Sequence, residues 1–330
     1  MRPTLKMLAG ILMSCAVVTG AMAQQFTMKI SSPTINDVTQ QWAKEFAAEL
    51  KAQVGDKIKV EFYPASQLGK IPATVQGVAM GTIEAVAPAS GFLVGLDPRF
   101  QVFDAPGLFT SLEDAQKVFA NPAVRARLAT FAGGKGMTPI AIYPHGPVML
   151  VSHKPIRAVA DLKGQKIRVP GAAPLQVEPF RRLGAHPVSM PLGEVLSAMQ
   201  NHTIDGLAAA ATVFTAFKYY DLAKGMTRLP GSYLIVPVMA NQAFLKSLGP
   251  KLEAAVRDAA FKAQQKVEIF DREDIKKTLG IWKQHGGEII ELSPDQQKEY
   301  LQQVQSVLPA LMKSSPNLKA DYEFLYAAAK

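Results

Sequence analysis

Short strand-like runs alternate with helix-like runs through this sequence, and the alternation starts twice. Phe26–Ser31 and Ile58–Tyr63 alternate apolar and polar residues and read as strands, and Ile83–Ala87 reads as a buried one. Between them, Trp42, Phe46, Ala47 and Leu50 share one face of a predicted helix over Asp37–Gln53. A shorter helix over Val75–Met80 is ended by Gly81. A β-α-β-α-β order predicts a largely parallel sheet with flanking helices. After about residue 137 the pattern restarts. Strands are predicted at Pro139–Tyr143, Val148–Ser152, Lys166–Val169, His186–Ser189, Thr203–Leu207 and Tyr233–Ala240. Helices are predicted at Pro174–Leu183 and Leu192–Gln200. With 330 residues, the chain is long enough for two such α/β units. Pro250–His285 is then continuously helical, longer than an ordinary globular helix, and suggests an element that spans two domains or bends. A last strand is predicted at Ile289–Leu292, with helices over Pro294–Lys313 and Ala320–Ala329.

The composition narrows the function. At 48% hydrophobic and 19% charged residues the chain is globular, not disordered. The net charge is +9, but the basic residues are scattered and form no block, so a nucleic-acid-binding arm is not supported. An excess of positive charge also suits small anionic ligands. The single cysteine excludes a disulfide scaffold, an iron–sulfur protein and a cysteine-rich zinc site. Residues 1–23 read as a secretory signal: Arg2 and Lys6 precede the uncharged, mostly apolar run Met7–Thr19, and Ala21-Met22-Ala23 matches the cleavage pattern. Cleavage after Ala23 would export the mature chain to a periplasm. Cys15 lies inside this segment, in a stretch only loosely like a lipidation box. The signal is too short to be a transmembrane helix, and no 18-residue apolar run follows it.

Catalytic patterns are missing. The sequence has no HExxH, P-loop or GxSxG motif. The Gly133-Gly134-Lys135-Gly136 turn lacks the preceding strand that dinucleotide binding needs. The five histidines are dispersed, and no pair has metal-ligand spacing, so neither a metal nor a cofactor is expected. An exported two-domain α/β chain without a catalytic motif points to a clamshell that closes on a small molecule.

A run of ordered motifs resembles the solute-binding proteins of tripartite ATP-independent periplasmic (TRAP) transporters, DctP type. They are Phe62-Tyr63-Pro64-Ala65-Ser66-Gln67-Leu68-Gly69, Met80-Gly81-Thr82-Ile83-Glu84 and Phe100 to Phe109. The longest runs from Ala160 to Pro170 and continues through Leu183-Gly184-Ala185, Met190 to Val195, and Met199 to Gly206. The resemblance implies an α/β periplasmic-binding-protein fold: a two-lobed Venus-flytrap clamshell with a hinge, braced by the long helix. The implied division puts 24–145 and about 234–273 in lobe I, and 146–233 and about 274–330 in lobe II. It also implies an organic acid in the cleft, delivery to integral membrane subunits, no enzymatic activity, and a monomer.

In this family the arginine of the strand matching Lys166–Val169 clamps the ligand carboxylate, so Arg168 is the expected clamp. A guanidinium suits the role: it offers a planar pair of donors and stays charged. Other positions depart from the family's pattern. Val148 stands where a second arginine is usual, Ala209 where an asparagine is usual, and Leu192 where a ring is usual. Ala89, beside Ser90, stands where some members carry an acid. Losing these polar groups disfavours hydroxylated ligands, which would be buried with unpaired groups. The expectation is therefore a monocarboxylate with an aromatic or aliphatic body. Phe92 and Phe214 are candidate walls, with Phe217 and Tyr219 near them, and Ser32, Ser90 and His145 are candidate polar partners. Two other functions fit the same build: a sensor presenting its ligand to an extracytoplasmic receptor, and a secreted enzyme.

Overall fold

The computed structural model describes residues 25–330. The export segment, its cleavage point and Cys15 lie outside the described residues. The chain begins in the predicted order with β1 (Phe26–Ser31), α1 (Val38–Val54), β2 (Ile58–Tyr63) and α2 (Ile71–Met80). Asp37 caps α1, its carboxylate accepting from the Gln40 N–H at 3.1 Å. Gly81 ends α2 in the left-handed region, at φ 83°, where a side chain would be strained. Strand β3 is only Ala85–Val86, shorter than predicted. Thr82 and Ile83 donate their N–H groups back to the Gly77 carbonyl, and Pro88 has none to donate. Residues 90–104, for which the pattern predicted no element, form two 3₁₀ turns and lead to α3 (Leu112–Ala120) and α4 (Pro122–Leu128).

Two predicted strands merge into one, β4 (Met137–Ser152), which runs through Pro144–Pro147 with register shifts there and at Pro139–Ala141. Next come β5 (Lys166–Val169), α5 (Pro174–Arg182), β6 (His186–Ser189) and α6 (Leu192–Gln200), close to prediction. Strand β7 is Gly206–Ala210, later than predicted, because the Thr203 and Ile204 N–H groups turn back to the Ala198 carbonyl. After α7 (Ala211–Ala216), β8 (Gly225–Asn241) is twice the predicted length and lies antiparallel to β4 from Met137↔Asn241 to Ser152↔Gly225. The chain finishes with α8 (Gln242–Ser247), α9 (Gly249–Gln284), β9 (Glu288–Ile290), α10 (Pro294–Gln305), α11 (Leu308–Ser314) and α12 (Pro316–Ala328).

One sheet results, in the order β2-β1-β3-β8-β4-β7-β5-β6, with β9 also paired to β8. The long β4–β8 pair joins two parallel halves. β1, β2 and β3 meet the end of β8, while β7, β5 and β6 attach to the second half of β4. Gly146, at φ 109°, sits at the bulge between the halves. Each half has apolar layers on both faces, and α9 contributes to both halves. Val256, Ala259, Ala260 and Ala263 pack on α1 around Trp42 and Phe46, while Trp282 packs with Phe214 and Tyr220 at the other end. The Ala-rich face brings α9 close enough for Trp42 Nε1 to donate to the Ala260 carbonyl at 3.1 Å. The predicted 36-residue helix is therefore a brace across the two-lobed α/β fold. The C-terminal helices return to the first half, where Leu318 and Leu325 pack in the cluster of Phe100, Phe103 and Phe131. Arg127 also pairs with Asp321 at 2.6 Å.

Candidate functional site

At the seam between the two halves lies a small cavity of about 40 Å³. Strand β5 carries Arg168 into it. Ile167 and Val169 point away into the apolar layer on the other face of the sheet, as the two-residue side-chain period requires. Arg168 is 2% exposed. Its Nε donates to the Met190 carbonyl at 2.9 Å, which fixes the plane of the guanidinium. Burial pulls its pKa down to about 10, and no carboxylate is among the groups that shift it. Tyr219 acts in the opposite direction on Arg168, but burial pushes its own hydroxyl up to about 12. A desolvated guanidinium without a carboxylate partner is costly to keep, and an incoming carboxylate relieves that cost.

The opposite wall comes from the start of α1 and from β4. His145 lines the cavity, and its Nε2 bonds the Asp37 carboxylate at 2.8 Å, both side chains being about 1% exposed. Burial alone would drive the imidazole neutral, but Asp37, Asp271 and Asp274 outweigh it and raise its pKa. Burial likewise pushes the Asp37 carboxyl up, but the His145 charge and hydrogen bonds from His145, Thr34 and Gln40 hold it below the ordinary value. The Nδ1 of His145 is buried without a partner. Thr34 and Thr39 supply the remaining hydroxyls, and the rest of the lining is apolar.

Six of the residues singled out by sequence therefore meet in one cavity: Arg168, His145, Phe92, Leu192, Ala209 and Ala89. Ser32, Ser90, Val148 and Phe214 do not line it, nor do Phe217 and Tyr219. Ser32 stands behind it, its hydroxyl 3.1 Å from that of Thr34. The Ser90 hydroxyl is turned to Asp104, 3.3 Å away, because that buried carboxyl needs donors. Val148 faces a neighbouring cavity instead. Phe214 is fully buried in the apolar core, edge-on to Tyr219 with ring centroids 6.0 Å apart. Thr34, Thr39, Pro170, Val213, Leu234 and Val236 are lining residues that the sequence reading missed. The two threonines lie around the start of α1, outside every motif of the resemblance, and Leu234 and Val236 are ordinary residues of a strand. Among the described residues, no group of three His, Cys, Asp or Glu side chains is placed to hold a metal ion, and no helix is long and apolar enough to cross a membrane.

A two-lobed α/β fold braced by one helix, with a buried arginine that has no carboxylate partner in a cavity at its seam, is the build of a solute-binding protein. Comparison with known proteins makes this specific. Residues 31–315 match the family described as DctP, bacterial extracellular solute-binding protein family 7, and the chain belongs to that family. It is 29% identical over 249 residues to the 2,3-diketo-L-gulonate-binding periplasmic protein YiaO of Escherichia coli, covering 75% of each chain. It is 25% identical to the C4-dicarboxylate-binding periplasmic protein DctP of Rhodobacter capsulatus, covering 83% of this chain and 82% of that one. Among solved structures, a TRAP periplasmic solute-binding protein from Desulfovibrio salexigens with bound orotic acid superposes with a TM-score of 0.85. It is 25% identical, with 93% of this chain and all of that one covered.

Proposed function

We propose that this protein is the periplasmic solute-binding subunit of a TRAP transporter. It captures a monocarboxylate with an aromatic or aliphatic body and delivers it to the integral membrane subunits. The observation that carries this reading is Arg168: a fully desolvated guanidinium, held in plane by the Met190 carbonyl, in a cavity that offers it no carboxylate. Relatives named for 2,3-diketo-L-gulonate and C4-dicarboxylates, and the orotic acid of the solved structure, support an acid as the ligand class. The apolar residues at Ala89, Leu192 and Ala209 support a body with few hydroxyls, since each unmatched hydroxyl would cost about 1–3 kcal/mol. His145 and Thr34 are the proposed second donors to the bound acid, and Phe92 the wall of its body.

In this reading the chain is a monomer without catalytic activity. Lobe I comprises 24–145, about 234–273 and, on the packing of α12, the last 15 or so residues, and lobe II comprises the remainder. The ligand closes the lobes upon itself because it contacts both. A thermal-shift screen of the mature chain against carboxylic acids tests this. Monocarboxylates with apolar bodies are expected to raise the melting temperature, and Arg168→Ala to abolish the rise. Shifts only with sugar acids or dicarboxylates would remove the ligand assignment, and shifts that survive Arg168→Ala would remove the clamp.

A further inference from the structure

The two sides of the Arg168 cavity touch each other just outside it. Lys70 and Glu194 are paired at 2.7 Å, and Ile71 and Leu192, close to them in the chain, line the cavity. A Cβ placed on Gly171 would stand 2.6 Å from the Gly91 carbonyl oxygen, and the adjoining Pro170 and Phe92 line the cavity as well. Gln176 Nε2 donates to Asp104 at 3.0 Å. In the proposed division each of these contacts joins lobe I to lobe II, so the lobes are closed on this space. We propose that the ligand is an aliphatic monocarboxylate of about two to four carbons, which fills the closed space with its carboxylate on Arg168. The proposal rests on the reading of Arg168 as carboxylate clamp and narrows it.

The size of the space sets the length of the acid. The cavity measures about 40 Å³. A water needs about 10–15 Å³ of such a cavity, so there is room for about three water-sized groups. A carboxylate bearing a short alkyl chain fills that room, whereas a phenyl ring or a sugar acid exceeds it. The walls resist being pushed back, because Ile71, Leu192, Val213 and Val236 are all buried and packed against their own lobes. Forcing extra methylenes into a packed site costs enough to weaken binding about tenfold.

The polar groups match one acid head and leave nothing for the body. The Nε of Arg168 is spent on the Met190 carbonyl, so its terminal nitrogens are the ones left for a carboxylate. Among the described residues lining the cavity, only His145, Thr34 and Thr39 carry another hydrogen-bonding side chain. His145 Nε2 already bonds Asp37 at 2.8 Å, and the Thr34 hydroxyl lies 3.1 Å from that of Ser32. No second arginine or lysine lines the cavity to receive a second carboxylate. The other lining side chains are carbon, so a hydroxyl on the body would be buried without a partner, while an alkyl chain loses nothing there.

The test is calorimetric titration of the mature chain with acetate, propanoate, butanoate, hexanoate, benzoate, phenylacetate, succinate and gluconate. One of the first three is expected to bind best, and each of the others about tenfold or more weaker than it. Leu192→Ala should open the wall, so that hexanoate or phenylacetate gains about tenfold relative to propanoate. Phe92→Ala, at a partly exposed wall position, serves the same end if the first variant does not fold, as judged from its circular dichroism and melting. Tightest binding of any of the larger acids overturns the short-acid assignment, and so does an absence of binding by all eight. A preference left unchanged in whichever variant folds overturns it as well. If a larger acid binds best and Arg168→Ala abolishes its binding, the size limit fails and the clamp stands. If Arg168→Ala binds these acids as the wild type does, the clamp itself fails, and the proposal fails with it.

Discussion

A buried arginine without a carboxylate is an unusual thing for a fold to carry, and the proposed carboxylate ligand would account for Arg168. Its neighbour across the cavity is held differently. His145 already has its counterion in Asp37, and Asp37 does a second job as the cap of α1. The two roles separate by substitution. Asn caps a helix as well as Asp does, so Asp37→Asn keeps the cap and removes the charge that steadies the imidazole. Breaking a buried ion pair in this way should destabilise the protein by about 3 kcal/mol, read as a fall in the urea midpoint. A change under about 0.5 kcal/mol would mean the pair contributes nothing beyond the cap. Periodicity alone would leave Arg168 a surface arginine at a strand end; only the resemblance of the motif around it singled it out, and the structure places it in the cavity. Ser90 and Phe214 were misjudged for one shared reason. Proximity to a motif says nothing of which way a side chain points. Ser90 answers the needs of Asp104, fourteen residues away, and Phe214 answers those of Trp282 on the long helix.

At the scale of elements, the regular strands and helices followed their periodicity, and the departures came where tertiary contacts decide. The long β4 was predicted in two pieces because Pro144, Gly146 and Pro147 read as punctuation, whereas its partner β8, of which only the second half was predicted, carries the ladder across them with shifts of register. The 3₁₀ turns at 90–104 have no period to read, and their aromatic residues gain meaning only against α12. Those turns also meet the loop after β5. A Cβ placed on Gly171 would stand 2.6 Å from the Gly91 carbonyl oxygen, and one placed on Gly91 would strike the Gln176 side chain. In the proposed division these glycines belong to different lobes, so only the closed form brings them together. Gly171→Ala should therefore weaken ligand binding by about tenfold, equivalent to about 1.4 kcal/mol, with little change in the melting temperature of the ligand-free chain. Equal losses in both measurements would mean that the contact belongs to the fold itself and not to closure.

The charge of the whole molecule gives its stability a definite dependence on pH. Burial raises both Asp104 and Asp271 to about 7 from an ordinary value near 3.8. Asp271 has no hydrogen-bond partner for either oxygen, and it faces His145, Asp37, Asp274 and Arg272 where α9 crosses the seam. For a carboxyl raised on folding, the folded state holds a proton that the unfolded state has released, so stability falls as pH rises from about 4 to 7. His145, raised above 6.5, acts in the same direction: its contribution is complete below 6.5 and is lost as pH rises through its higher folded value. Asp37 works oppositely, since its lowered pKa contributes stability above about 3.8 that is lost as pH falls through the folded value. Maximum stability should therefore lie on the acid side of neutrality. Because His145 and Asp271 interact, they titrate as a pair, and changing one moves the other. Asp271→Asn removes one of the two raised carboxyls and lessens the field that raises His145. Urea denaturation at pH 5, 6, 7 and 8 should show wild-type stability declining across the series. The variant should decline less steeply and be the more stable of the two at pH 8, because it no longer has to bury an unpartnered charge. A wild type that gains stability toward pH 8, or a variant with an unchanged slope, would mean that solvent reaches Asp271 and that the brace helix carries no buried charge across the seam.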